Sequence, residues 1–121
     1  MGVNQLSNEK IYQEVGSIVA NFELYKCEEC ATAVMQWLRE NSISGRIIKI
    51  QTRLGEDYII SKRLEKLLIN DSITLNGIHY GVEVKERVFD NLSTEGLTLR
   101  NWLNDFECSS GEFIVDYLDE I

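Results

Sequence analysis

Apolar residues recur at Ile11, Val15, Ile18, Val19 and Phe22, the spacing of one buried helical stripe, just after Ser7-Asn8, a pair able to cap a helix start. A second stripe formed by Cys27, Ala31, Val34 and Leu38, flanked by Cys30 and Trp37, predicts a helix from about residue 27 to 40. Asn41-Ser42-Ile43-Ser44-Gly45 stops it. From Gly45 the pattern becomes extended: Arg46-Ile47-Ile48-Lys49-Ile50 reads as a β-branched strand, and Leu54-Gly55-Glu56-Asp57 as a turn leading to a strand at Tyr58-Ile59-Ile60. Between Ser61 and Leu68, Leu64, Leu67 and Leu68 have helical spacing in a short, lysine-rich stretch, and a helix of one or two turns stays open there.

Asn76-Gly77 is a turn signal. The two runs that follow, Ile78 to Val84 and Arg87 to Asp90, form a hairpin closed near Lys85-Glu86. His79 opens one strand and Asp90 closes its neighbour, so antiparallel pairing brings an imidazole and a carboxylate to one edge of the sheet. Thr98 caps a last helix bearing Leu99, Trp102, Leu103 and Phe106, and Glu112 to Leu118 forms a final strand. Helices first and then mostly antiparallel sheet make an α+β fold, and 121 residues without repeat, linker or proline make one domain, 1–121.

Charge narrows the partners. A net charge of -8 argues against a nucleic-acid backbone, which is bound by displacing counterions with Lys and Arg, and favours a basic protein partner or a neutral substrate. No segment is apolar enough to span a membrane, and Met1 to Leu6 lack the positive cluster and apolar run of a secretion signal. Cytoplasmic synthesis is expected, with export by a specialised system left open. Three cysteines cannot all pair within one chain, which disfavours a disulfide framework. Oligomeric state is not legible.

The chemistry centres on Cys27. A thiol reacts as its thiolate, and a helix start favours negative charge through unpaired N–H groups and the macrodipole. Glu28 and Glu29 oppose that charge, so a cationic partner is required, and His79 is the single histidine. A Cys–His pair steadied by an acid or amide is the activated arrangement of nucleophilic catalysis, with Asp90 as the orienting acid and Asn91 its substitute if the register slips by one. Cys30 is the alternative nucleophile, nearly a turn inside the helix. Asn21 is the nearby amide that could meet a substrate oxyanion.

Phe22-Glu23-Leu24-Tyr25-Lys26-Cys27-Glu28-Glu29-Cys30-Ala31, Gly45 to Ile50, Asn76-Gly77-Ile78-His79, Val88-Phe89-Asp90-Asn91, Gly96 and Trp102-Leu103 together resemble the papain-fold toxin domain family, specifically its second group. The resemblance runs from about residue 20 to 106. It implies a papain-like fold of the cysteine peptidase superfamily, with Cys27, His79 and Asp90 at the positions of the catalytic cysteine, histidine and acid. It further implies a peptidase, deamidase or related acyl-transfer enzyme of bacterial conflict systems, acting on a protein or peptide amide without a cofactor.

Blander readings compete. Cysteine is among the most buried residue types, and Cys108 reads as structural; Trp102 and Leu103 read as core, and Asp116, Asp119 and Glu120 as a solvated end. Cys27-x-x-Cys30 also suits a redox pair or half a zinc site, but a redox motif would follow a strand, and zinc would need His79 and Cys108 to converge on it. A catalytically silent acidic binding or immunity-type protein is the alternative function.

Overall fold

Ser7 accepts a hydrogen bond from the Lys10 amide and so starts α1 (Asn8–Val19), the first element of a computed structural model that describes residues 6–121. Met1 to Gln5, the segment on which the reading about a secretion signal falls, lie outside the described residues. Phe22 lies beyond the end of α1 and is half-buried against the same core. The second helix, α2 (Cys27–Glu40), occupies the expected span, with Cys27, Cys30, Ala31, Val34, Met35 and Leu38 buried. None of the described helices is long and apolar enough to cross a membrane.

Five antiparallel strands form the main sheet in the order β5-β4-β3-β1-β7: β1 (Arg46–Thr52), β3 (Ile78–Val84), β4 (Arg87–Asp90), β5 (Ser93–Leu97) and β7 (Phe113–Leu118). α1 and α2 cover one face, burying Ile47, Tyr80, Val82, Val84 and Phe89. On the other face Ile48, Ile50 and Val88 pack with Ile59, Ile73, Trp102 and Phe106. This second layer comes from α3 (Lys62–Lys66), α4 (Leu99–Asn104) and a small sheet of β2 (Ile60–Ser61) and β6 (Phe106–Glu107).

The structure departs from the sequence reading in three places and settles one that was open. Tyr58 and Ile59 are outside any strand, and only Ile60–Ser61 pairs, with β6 rather than the main sheet. Phe106 leaves the last helix for β6, because α4 ends at Asn104. Ser93–Leu97 forms an edge strand that its polar composition did not announce. The open 61–68 segment contains α3, capped by Ser61 and braced by Asp105, whose carboxylate accepts from the Arg63 amide at 2.9 Å and from Ser61 Oγ at 2.5 Å. The N-terminal helices α1 and α2 on a mostly antiparallel sheet make the expected α+β fold.

Two turns set the register that matters. Lys85 and Glu86, with φ of 48° and 68°, make a two-residue left-handed turn that pairs Val84 with Arg87 and Val82 with Phe89. Ahead of β3, Gly77 sits at φ 75°, and a Cβ there would come within 2.1 Å of the Glu56 carbonyl oxygen, so only glycine allows this close passage. Asn76 Oδ1 accepts from the Ile78 amide at 3.2 Å and steers the chain into the strand carrying His79.

Gly81 lies under the indole of Trp102: a Cβ there would sit 2.7 Å from Cζ2 of Trp102 and 2.9 Å from Cγ1 of Val88. Gly81→Ala is expected to overpack this layer and cost about 1–3 kcal/mol. A chemical-denaturation midpoint measures it, and a midpoint equal to wild type would contradict the packing described.

Candidate active site

His79 and Asp90 lie at the same end of the β3–β4 hairpin, on the face covered by Trp102 and Phe106. Both side chains are fully buried, and His79 Nε2 is 2.8 Å from Asp90 Oδ2. A buried carboxylate is tolerated only when its lone pairs are filled. Trp102 Nε1 donates to the same Oδ2 at 2.8 Å, the Leu92 amide donates to Oδ1 at 2.9 Å, and the nearby Ser93 hydroxyl favours the charged form.

The direction of the Ser93 hydroxyl is fixed from outside. Arg63 Nη2 donates to Ser93 Oγ at 2.8 Å, and a guanidinium has no acceptor, so the serine proton is left for Asp90. Arg63 itself is held by Asp105, with Nε 3.1 Å from Oδ2. Thus α3, the β4–β5 turn and the end of α4 all converge on one carboxylate.

The charges respond to this arrangement. Burial alone would raise Asp90, but the hydrogen bond and positive charge of His79, then Trp102 and Ser93, pull it below the ordinary carboxylate value. Burial disfavours the imidazolium of His79, yet the Asp90 hydrogen bond, the interaction with the Cys27 side chain and the negative charge of both outweigh it, pushing His79 up to about 9. Its Nδ1 forms no hydrogen bond of standard geometry and is the nitrogen left for Cys27.

Cys27 is the first residue of α2 and is 7% exposed. The preceding turn is tight, with Tyr25 at φ 74° and Lys26 offering no side-chain cap. The first intrahelical bond is Cys30 N–H to the Lys26 carbonyl, so the amides of the first turn keep their dipole free beside the sulfur. Glu28 and Glu29 are exposed, and Glu29 pairs with Lys26 at 3.7 Å. A cleft of about 280 Å³ opens in front of Cys27, bordered by the first turn of α2, residues 73–76 and the start of β3.

The remaining sequence candidates fall elsewhere. Cys30 is 1% exposed inside the helix, and burial, then the charges of Asp90 and Cys27, push its thiol up to about 12, the opposite of a nucleophile's needs. Asn91 does not face the imidazole: its Nδ2 donates to the Glu23 carbonyl at 2.8 Å and ties the loop before α2 to the β4–β5 turn. Asn21 is exposed, and its amide donates to Ser17 O at 3.1 Å one turn back, so it is turned away from the cleft. Cys108 is half-buried rather than core and lies in a turn beside Ser110 and the Glu112 carbonyl. Among the described residues no three His, Cys, Asp or Glu side chains form a metal-binding group.

The family model described as papain fold toxin 2 matches residues 10–107. The chain belongs to that family. No curated protein and no solved structure matches it significantly. In this papain fold toxin 2 chain, Trp102, Ser93 and Arg63 are the supporting residues that sequence reasoning missed. A signal existed for the first: an indole N–H on a buried helix face requires an acceptor, and Asp90 is the buried acid available.

The pair imposes a pH window. His79 is raised above its unfolded value of 6.5, so its contribution to stability is complete below that pH and is lost as pH climbs through about 9. Asp90 is depressed, so its contribution is present above about 3.8 and is lost as pH falls below it. Denaturation midpoints measured across pH are expected to decline from 6.5 to 9, and to lose that slope in His79→Gln.

Trp102→Phe keeps the bulk while removing one donor to Asp90, with an expected cost of about 1–3 kcal/mol. The same variant should move the acid edge of the stability window, set by Asp90, to higher pH.

Proposed function

We propose that this chain is a cysteine-dependent acyl-transfer enzyme acting on a peptide or protein amide, with Cys27 as nucleophile, His79 as acid and base, and Asp90 as the residue orienting the imidazole. One observation carries the reading: a buried His79–Asp90 pair at 2.8 Å whose remaining ring nitrogen is left for a cysteine at a helix start, itself lining an open cleft. An imidazolium sustained into mildly alkaline pH is the counter-charge a thiolate needs, and the free first-turn amides of α2 favour the same negative charge.

The chemistry follows in order. The sulfur attacks the amide carbonyl carbon, the carbon–sulfur bond forms, and the oxygen takes up negative charge. The Cys27 backbone N–H is the donor available to that oxygen now that Asn21 is turned away. His79 gives its proton to the departing nitrogen as the carbon–nitrogen bond breaks, leaving a thioester and an uncharged imidazole. Water or an incoming amine then attacks the thioester, returns a proton to His79 and releases the thiolate. Peptidase, deamidase and transamidase outcomes share the first half and differ in the departing and entering groups.

Family membership supports a toxin role, in which the amide belongs to a target protein. At pH 7, Cys27→Ala should abolish rapid alkylation by iodoacetamide with an unchanged circular-dichroism spectrum, and His79→Ala should slow labelling of Cys27 at least about tenfold. Peptide mapping locates the label. Rapid modification at Cys30, or a Cys27 rate insensitive to His79, would overturn the assignment and leave the acidic binding-protein reading.

A further inference from the structure

The cleft in front of Cys27 has a chemical character of its own. Tyr25, Leu75 and Ile78 give it apolar walls, Glu28 and Glu29 give it two carboxylates, and no lysine, arginine or histidine lines it. Glu29 is already paired with Lys26, whereas Glu28 has no ion-pair partner among the described residues. The uncompensated charge therefore belongs to Glu28.

Tyr80 marks the same place independently. It is 9% exposed and lines the cleft, yet its hydroxyl makes no hydrogen bond within the described protein. Burial, then the charges of Glu28 and Cys27, push the phenol up, so it remains a neutral hydroxyl at pH 7. A hydroxyl that lines the cleft without a protein partner is free to bond to what enters it.

We propose that this cleft takes an arginine or lysine side chain of the substrate, next to the amide that Cys27 attacks; the inference rests on Cys27 being the nucleophile. The aliphatic stem lies along Leu75 and Ile78, the cationic head meets Glu28, and Tyr80 Oη accepts a hydrogen bond from it. An acidic side chain is repelled by Glu28, and a purely apolar one strips water from that carboxylate without replacing it. A volume of about 280 Å³ holds one or two side chains, which suits a short segment of a substrate chain. The net charge of -8 draws basic substrates toward the same site.

The test uses the whole chain and three irreversible probes with one cysteine-directed warhead, a peptidyl acyloxymethyl ketone, preceded by arginine, norleucine or glutamate. Because the warhead is shared, the ratio of inactivation rates cancels any effect of Glu28 on the sulfur itself. Arginine is expected to exceed norleucine about fivefold, with glutamate slowest, and the preference should shrink with added salt. Glu28→Gln should collapse the arginine-to-norleucine ratio toward one, and Glu28→Lys should place glutamate above arginine. Equal rates for arginine and norleucine with Cys27 still labelled, or a ratio unmoved by Glu28→Gln, would overturn the cationic subsite while leaving the nucleophile intact. Failure of every probe and of iodoacetamide to label Cys27 would overturn both.

Discussion

The molecule is organised around one requirement, the satisfaction of a buried carboxylate. Asp90 has no access to water, and an ionised group in that position survives only if each oxygen is met by a donor. His79, Trp102, the Leu92 amide and Ser93 meet it, and they come from β3, α4, the β4–β5 turn and β5. Three separate stretches of chain are thus bound to one point. A histidine that would be neutral if merely buried is instead kept charged.

Around that point the two cysteines acquire opposite characters despite being three residues apart. Cys27 stands at the open end of α2, beside unbonded amides, an imidazole and a cleft. Cys30 stands one turn in, surrounded by hydrocarbon and close enough to Asp90 and Cys27 that negative charge on it is opposed from two sides. Position relative to the helix start already favours Cys27 in the sequence; burial adds the rest of the difference. The tie from Asn91 to the Glu23 carbonyl holds the start of α2 against the turn that follows Asp90, so Cys27 and Asp90 share a frame.

Arg63 extends the same logic outward. It is clamped by Asp105 from the end of α4, and it fixes the direction of the Ser93 hydroxyl. The short helix α3 therefore contributes to the site without touching it. Membership in the papain fold toxin 2 family agrees with the α+β architecture of helices packed on a mostly antiparallel sheet.

The hairpin from Ile78 to Asp90, the spans of α1 and α2, and the convergence of His79 with Asp90 follow from local signals: period, caps and a two-residue turn, all acting within a few residues. The short strands β2 and β6 and the edge strand β5 carry no such signal, because they exist only through their partners. The orientations of Asn21 and Asn91, the donation by Trp102 and the bracing by Arg63 were likewise decided by folding. A side chain's partner across the chain depends on how layers pack, and spacing along the chain does not encode it. Residue pattern determined which chemistry was available, where its carriers lay and which thiol stood nearer the helix start; the tertiary structure alone decided that Cys30 is walled in hydrocarbon and what keeps the imidazole charged, because both depend on how layers pack.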